Sequence, residues 1–341
     1  MKPIRVGVIG VGTMGERHCR VYSNMRGVEL AGVFDANATR GHEVAEKYGV
    51  RYYDSAAELL REVDAVTIAT PTPHHFDLAM EAFLSGVHTL IEKPLAYTLE
   101  QGRKLSDTAQ RSGLIVQVGH IERFNPAFTE LKNVADDLPM VAIMIRRQNS
   151  FDASNKDVDV INDLMIHDID LLLNLVGQPV EQVTAIGRTI INAAIDHCVA
   201  NFSFKDGPVA TLIASRITQT KVRTIDITGL NAYVQGDLLG KNVAISRRVM
   251  SQYQGAKYRQ ETVVENIHVP MAEPLLLELQ HFVNCVRDHR PPTVTIDDGL
   301  KAMQYAAQIV ELVRQTSQPT YPVIPSGSAI AETRASEATK G

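Results

Sequence analysis

The chain has 341 residues, 45% hydrophobic and 21% charged, which is too long for one ordinary core and suits two domains. Its formal net charge of -5 speaks against a surface built for nucleic acid or a membrane, though a local basic patch is free to bind an anionic substrate. The three cysteines, Cys19, Cys198 and Cys285, are scattered and odd in number, which excludes a disulfide scaffold or a Cys/His zinc site and fits a reducing, cytoplasmic setting.

The opening MKPIRVGVIG runs straight into an apolar strand and a glycine turn, so it does not read as a signal peptide. No apolar stretch is long enough to span a bilayer. Ile4 to Ile9 predicts a strand, Gly15 to Tyr22 a helix, Val28 to Phe34 a second strand and Thr39 to Tyr48 a second helix. Continuous apolar strands follow at Ala65 to Ala69, His88 to Ile91 and Ile115 to Val118, with helical stretches between them. Strands apolar on both faces and spaced by helices predict a doubly wound parallel sheet, an α/β domain. The pattern changes after about residue 123. Asn162 to Leu175 is helical, and β-rich runs follow between Val180 and Arg247. Turn signals at Lys205-Asp206-Gly207-Pro208 and Gly229-Leu230-Asn231 separate them, predicting an open, mostly antiparallel sheet. Pro274 to Val286 and Ile296 to Val313 are amphipathic helices. The division expected is a nucleotide-binding domain over 1–122, an α+β domain over 123–325 and a small, polar, disordered tail over 326–341.

Gly10-Val11-Gly12-Thr13-Met14-Gly15 is G-x-G-x-x-G between a strand and a helix, the context that makes it a dinucleotide fingerprint. Gly10 allows the tight turn, Gly12 lets a pyrophosphate approach the backbone, and Gly15 lets helix pack on strand. The helix N-terminus offers free N–H groups to the phosphates. Asp35 lies twenty residues after Gly15, at the end of the second strand, where a carboxylate accepts from the ribose hydroxyls and repels a 2′-phosphate. That favours NAD over NADP, with nearby Arg40 able to soften the preference.

Ligands of open parallel sheets bind at the carboxyl ends of the strands. Those ends carry Thr70-Pro71, Glu92-Lys93-Pro94 and Gly119-His120. Lys93, set by the proline after it, can hydrogen-bond a substrate hydroxyl and favour its alkoxide character; an isolated Lys-Pro would read as a solvated surface lysine. Asp163 and His167 are i and i+4, with Asp170 near the same helical face. A histidine beside a carboxylate fits a general base with an orienting partner. Other readings of the trio are a salt-bridged helix face and a metal site, though no H-E-x-x-H spacing supports a metal.

The fingerprint, then T-P-x-x-x-H (Thr70, Pro71, His75), E-K-P (Glu92, Lys93, Pro94) and D-x-x-x-H-D (Asp163, His167, Asp168), in this order and spacing, resemble the Gfo/Idh/MocA oxidoreductases. The likeness runs from about residue 3 to 323. It implies a Rossmann domain, then an α/β domain whose open sheet often forms an oligomer interface, and substrates that are mostly sugars, nucleotide sugars and cyclitols. It implies catalytic roles for Lys93 and His167, with Asp163 as a polar partner at the substrate. His167 is expected to take the hydroxyl proton while Lys93 polarises the same oxygen. Thr70, Pro71, His75, Glu92 and Gln117 are expected to line the cofactor.

The run Gly119-His120-Ile121-Glu122-Arg123-Phe124-Asn125-Pro126 looks like the branch of the family that includes UDP-N-acetylglucosamine 3-dehydrogenases. That implies oxidation of a sugar 3-hydroxyl with NAD, and cations for a pyrophosphate. Arg123, Arg146, Arg147, Arg216, Lys221 and Arg223 are the candidates, one or two of them touching substrate. His120 and Asn125 join them as expected substrate contacts, and a homodimer or homotetramer is expected. The alternatives are a free-sugar or inositol dehydrogenase and a catalytically silent NAD-binding regulator.

Overall fold

A computed structural model describes residues 2–151, 158–191, 193–253 and 257–316; the expected tail lies outside them. The first half builds a six-stranded parallel sheet in the order β3-β2-β1-β4-β5-β6. Its strands are β1 (Ile4–Ile9), β2 (Val28–Phe34), β3 (Arg51–Tyr52), β4 (Ala65–Ile68), β5 (His88–Glu92) and β6 (Val116–Gly119). This is the dinucleotide-binding order, with the chain reversing direction across the sheet between β1 and β4. Every residue of β4 is buried, as a strand covered on both faces requires. Helices α1 (Thr13–Ser23), α2 (Ala38–Tyr48), α3 (Ala56–Leu60), α4 (His75–Leu84) and α5 (Leu99–Ser112) connect the strands. Local chemistry sets their ends. Asn37 caps α2 through Arg40 N, Gly49 ends it in the left-handed region, and Thr98 with Gln101 forms a capping box on α5.

The second half builds an eight-stranded sheet in the order β14-β13-β12-β11-β7-β10-β9-β8. The strands are β7 (Met140–Gln148), β8 (Val180–Arg188), β9 (His197–Phe204), β10 (Val209–Ser215), β11 (Val222–Gly229), β12 (Ala232–Asp237), β13 (Asn242–Tyr253) and β14 (Lys257–Ile267). Only the β7–β10 pairing is parallel. The two turn signals fall where expected, between β9 and β10 and between β11 and β12. One face carries Ile143, Ile145, Phe202, Leu212 and Ile225, buried under α6 (Pro126–Ala135), α7 (Ile166–Val176) and α9 (Ile296–Gln315). The other face leaves Met144, Ile186, Val209 and Tyr233 exposed.

The expected helix over Asn162 to Leu175 divides in two. Ile161–Met165 is a π-helical turn that passes into α7, and such turns recur at functional sites. Two helices from beyond residue 122 pack back on the first half. Helix α8 (Pro274–Asp288) packs Leu275, Leu279, Phe282 and Val286 against Val6, Val8, Tyr22 and Leu90 of the first domain. Helix α9 touches α5 and β6 on one side and α7 and β8 on the other. The apolar stripe of each helix is local information, but the partner it covers is not.

Candidate active site

The glycine turn builds the cofactor cradle. Gly10 sits at φ +83°, and a Cβ there would lie 2.7 Å from Thr70 N. A Cβ at Gly15 would lie 1.8 Å from the Gly10 carbonyl oxygen, whereas one at Gly12 would meet nothing within 4 Å. Gly12 is therefore not demanded by protein packing; the space beside it suits an approaching phosphate. Gly12 caps α1 without a side-chain hydrogen bond, so the first N–H groups of the helix are available to an anion. Asp35 follows β2 beside the turn, accepting from Val11 N at 2.7 Å and Asn37 N at 2.8 Å. Arg40 donates to the Val11 carbonyl at 3.0 Å and pairs with Glu16, so its charge is already matched on the protein. These residues fit NAD. Gly12→Ala should leave stability within ~0.5 kcal/mol and weaken NAD binding roughly tenfold or more. Gly15→Ala should cost about 3 kcal/mol of stability. Calorimetric NAD titration and denaturant unfolding check both; equal losses of stability would remove the phosphate role of Gly12.

At the other strand ends, His75 is almost fully buried and bridges the Thr70 and Pro94 carbonyls, 2.8 Å from each. Burial holds its pKa below the usual imidazole value, against the pull of the two carbonyls, and the neutral ring, with a single N–H, donates to only one of them. Thr70 Oγ1 is buried without a partner among the described residues. Two expected cofactor contacts turn inward instead. Gln117 is fully buried and donates to the Glu278 carbonyl of α8 at 3.4 Å. Glu92 points to His18, with Oε1 2.9 Å from Nε2. Gln117 and Glu92 occupy alternating-face strand positions whose direction no motif records.

Lys93 leaves the end of β5 and crosses to the second domain. Its Nζ donates to the Asp163 carbonyl at 2.8 Å and lies 3.6 Å from Asp163 Oδ1. Asp163 sits in the π-helical turn, and His167 lies at the start of α7. Lys93 and Asp163 line a cavity of about 820 Å³ together with Pro71, Tyr97 and Asn162. Burial lowers the Lys93 pKa, against the pull of Asp163 and Glu92. Burial also holds His167 well below its ordinary 6.5, with Lys93 and Arg147 adding repulsion. His167 is therefore neutral at neutral pH and able to accept a proton.

The expected orienting role of Asp170 does not hold. Asp170 is fully engaged by Arg123, with contacts of 2.6 and 2.8 Å. This buried pair also removes Arg123 from the substrate contacts and Asp170 from any metal trio. Arg147 takes the central place instead. It is 1% exposed and joins Asp168 at 2.9 Å to Glu122 at 2.8 Å. Arg223 reaches the same Glu122 oxygen at 3.0 Å. Burial works against the Glu122 carboxylate, but Arg147 and Arg223 outweigh it and hold its pKa below the usual range.

Three of the remaining expected substrate contacts, Arg146, Arg216 and Asn125, are bonded on the protein. Arg146 points to the opposite face of β7, bonded to Thr224 and 3.5 Å from Asp226. Arg216 is buried against Asp196 and the Val158 carbonyl, each at 2.6 Å. Asn125 caps α6 and donates to Glu122 and to the Leu238 carbonyl. His120 is buried edge-on to His167, ring centroids 6.2 Å apart. Arg147 and Arg223 were among the sequence candidates. What singles them out is strand parity: Ile143, Ile145 and Arg147 share the buried face of β7, and Arg223 is paired with Arg147 on β11.

Residues 4–120 match the model of the Gfo/Idh/MocA oxidoreductases with an NAD-binding Rossmann fold, and residues 135–235 match a C-terminal domain of the same family. The chain belongs to the Gfo/Idh/MocA oxidoreductase family. It is an NAD-dependent oxidoreductase. It is 35% identical to UDP-N-acetylglucosamine 3-dehydrogenase of Acidithiobacillus ferrooxidans, over 90% of this chain and 96% of that one. The solved structure of that organism's enzyme GnnA superimposes with a TM-score of 0.85, covering 92% of this chain and 98% of its own. The scyllo-inositol 2-dehydrogenase of Bacillus subtilis is 27% identical over 87% of this chain and 90% of its own. Among the described residues no helix is long and apolar enough to cross a membrane.

Proposed function

We propose that this chain oxidises the 3-hydroxyl of a UDP-N-acetylhexosamine, UDP-N-acetylglucosamine foremost, to the ketone. One observation carries the chemistry: Lys93 of the first domain is held 2.8 Å from the Asp163 carbonyl, beside His167, at the strand ends where the nicotinamide half of the cofactor belongs. Bound NAD supplies the hydride acceptor. Lys93 donates a hydrogen bond to the substrate oxygen and favours negative charge on it. His167, neutral through burial and its cationic neighbours, takes the hydroxyl proton. The C–H bond gives up its electron pair as the C=O bond forms, and one proton is released per turnover. Likeness to the Acidithiobacillus enzyme along nearly the whole chain supports the nucleotide sugar.

Reduced-nicotinamide absorbance with a trap for the ketone tests this against UDP-sugars, free hexoses and inositols. The expected result is signal with UDP-N-acetylglucosamine and none with N-acetylglucosamine. Signal with a free sugar or inositol alone would keep the chemistry and overturn the substrate. Tight NAD binding without turnover across the panel would favour a silent regulator. The exposed sheet face bearing Met144, Ile186, Val209 and Tyr233 supports assembly into a homodimer or homotetramer.

A further inference from the structure

The first domain's core is apolar where α1 and α8 cover the sheet, except at one place. There His18 of α1, Glu92 of β5, Gln117 of β6 and Glu278 of α8 meet, none more than 8% exposed. His18 holds Glu92 Oε1 at 2.9 Å, and Lys93 N donates to Glu92 Oε2 at 3.3 Å. Neither carboxyl oxygen of Glu278 meets a hydrogen-bonding partner among the described residues, and Gln117 Oε1 likewise meets none. A carboxylate this deeply buried without a protein donor is costly, and a second carboxylate nearby raises the cost. Burial, and then Glu92, push the Glu278 carboxyl well above the usual range, so Glu278 carries a proton.

The other groups facing this pocket do not titrate near neutrality. On α1, the Tyr22 phenol is bonded to Thr67 Oγ1 and kept protonated by burial. Burial pushes the Cys19 thiol up to about 12. Beyond β6, burial keeps His120 neutral. On the 3-10 turn Ile121–Phe124 that packs against α8, Glu122 and Arg123 are engaged with Arg147 and Asp170. Lys93 is the cation on the cleft side.

Glu92 ends β5, so the pocket starts at the strand ends that take the nicotinamide half of NAD. That ring carries one positive charge when oxidised and none when reduced. A unit charge appearing or vanishing near a water-poor site shifts any proton bound there. We infer that Glu278, linked to the cleft through the Glu92–His18 pair, holds a proton whose occupancy follows the redox state of the cofactor: fuller with NADH, emptier with NAD⁺. Oxidation of a hydroxyl by NAD⁺ yields ketone, NADH and one proton, and a fraction of that proton then stays in the pocket until NADH leaves. Glu278 is a tuning residue for cofactor binding and touches no reacting atom. NAD binding by this domain is all it requires; the identity of the sugar does not enter.

The test is calorimetric titration of the full chain with NAD⁺ and with NADH, no sugar present, in buffers of differing ionisation enthalpy. With the proton already in place in the free chain, wild type should release a larger fraction of it on binding NAD⁺ than on binding NADH. Glu278→Gln, neutral and of the same shape, should abolish that difference. Infrared difference spectra between the two complexes give a second readout. A protonated-carboxyl stretch should be stronger with NADH and missing from the variant. Equal proton release on binding either cofactor in wild type overturns the inference, as does a difference that persists in Glu278→Gln. If the variant does not fold, the wild-type spectra decide alone, and no change in a protonated-carboxyl band between the complexes overturns it.

Discussion

Lys93→Ala should lower kcat by about 10³-fold while leaving NAD affinity within about twofold. The ammonium is held against Asp163, whereas the phosphates belong to the glycine turn, so its loss removes stabilisation of the developing alkoxide and not the hold on the cofactor phosphates. His167→Ala should cost about 10²- to 10³-fold. Because the two act on one oxygen, the double variant should lose little more than the worse single one. The pH profile adds a sign. His167 accepts a proton only when neutral, so kcat/KM falls as pH drops through its pKa, and burial with Lys93 and Arg147 nearby holds that pKa well below 6.5. The acid limb should lie well under 6.5 and change in His167→Gln. A limb at or above 6.5 that the variant does not move would remove His167 as the base.

The second large effect concerns stability. Arg147→Met keeps much of the volume but leaves Asp168 and Glu122 buried without their shared guanidinium. Breaking a buried pair from one side costs about 3–5 kcal/mol, and Asp168, whose carboxyl burial already pushes up, should take a proton. Denaturant unfolding should show a loss of that size with an unchanged slope. Loss of the Arg147 charge also removes a repulsion on His167, so the acid limb should move to higher pH. A loss below about 1 kcal/mol would mean that Arg223 alone neutralises the cluster.

How much of this could be read from the sequence depended on range. The fingerprint, Asp35 and the Lys93-Pro94 step are local, because a strand end and the turn after it fix where those residues point. The doubly wound parallel sheet followed from the apolar strands spaced by helices, whereas its edge strand Arg51–Tyr52, two residues long, is too short to carry a pattern. In the second domain the arginines looked equivalent. Arg146 and Arg147 are neighbours on β7 yet face opposite sides, so a one-residue question of strand parity separates the site from the outer surface. Arg123 and Asp170 are 47 positions apart, and their pairing neutralised both a presumed substrate cation and a presumed partner of His167. The π-helical turn carries no composition signal that marks it, yet it holds the Asp163 carbonyl that receives Lys93. Glu278 lies on an amphipathic helix, and nothing local tells that α8 crosses back to the first domain.

That return of α8 has a consequence during synthesis. The apolar surface of Val6, Tyr22 and Leu90 is closed by Leu279 and Phe282, residues translated long after the last strand of the first sheet. As the nascent chain leaves the ribosome, the cofactor domain must wait with one wall open while the whole second sheet is made. Its folding is completed from the far end of the message, so the two halves of the enzyme mature as one unit and not in turn.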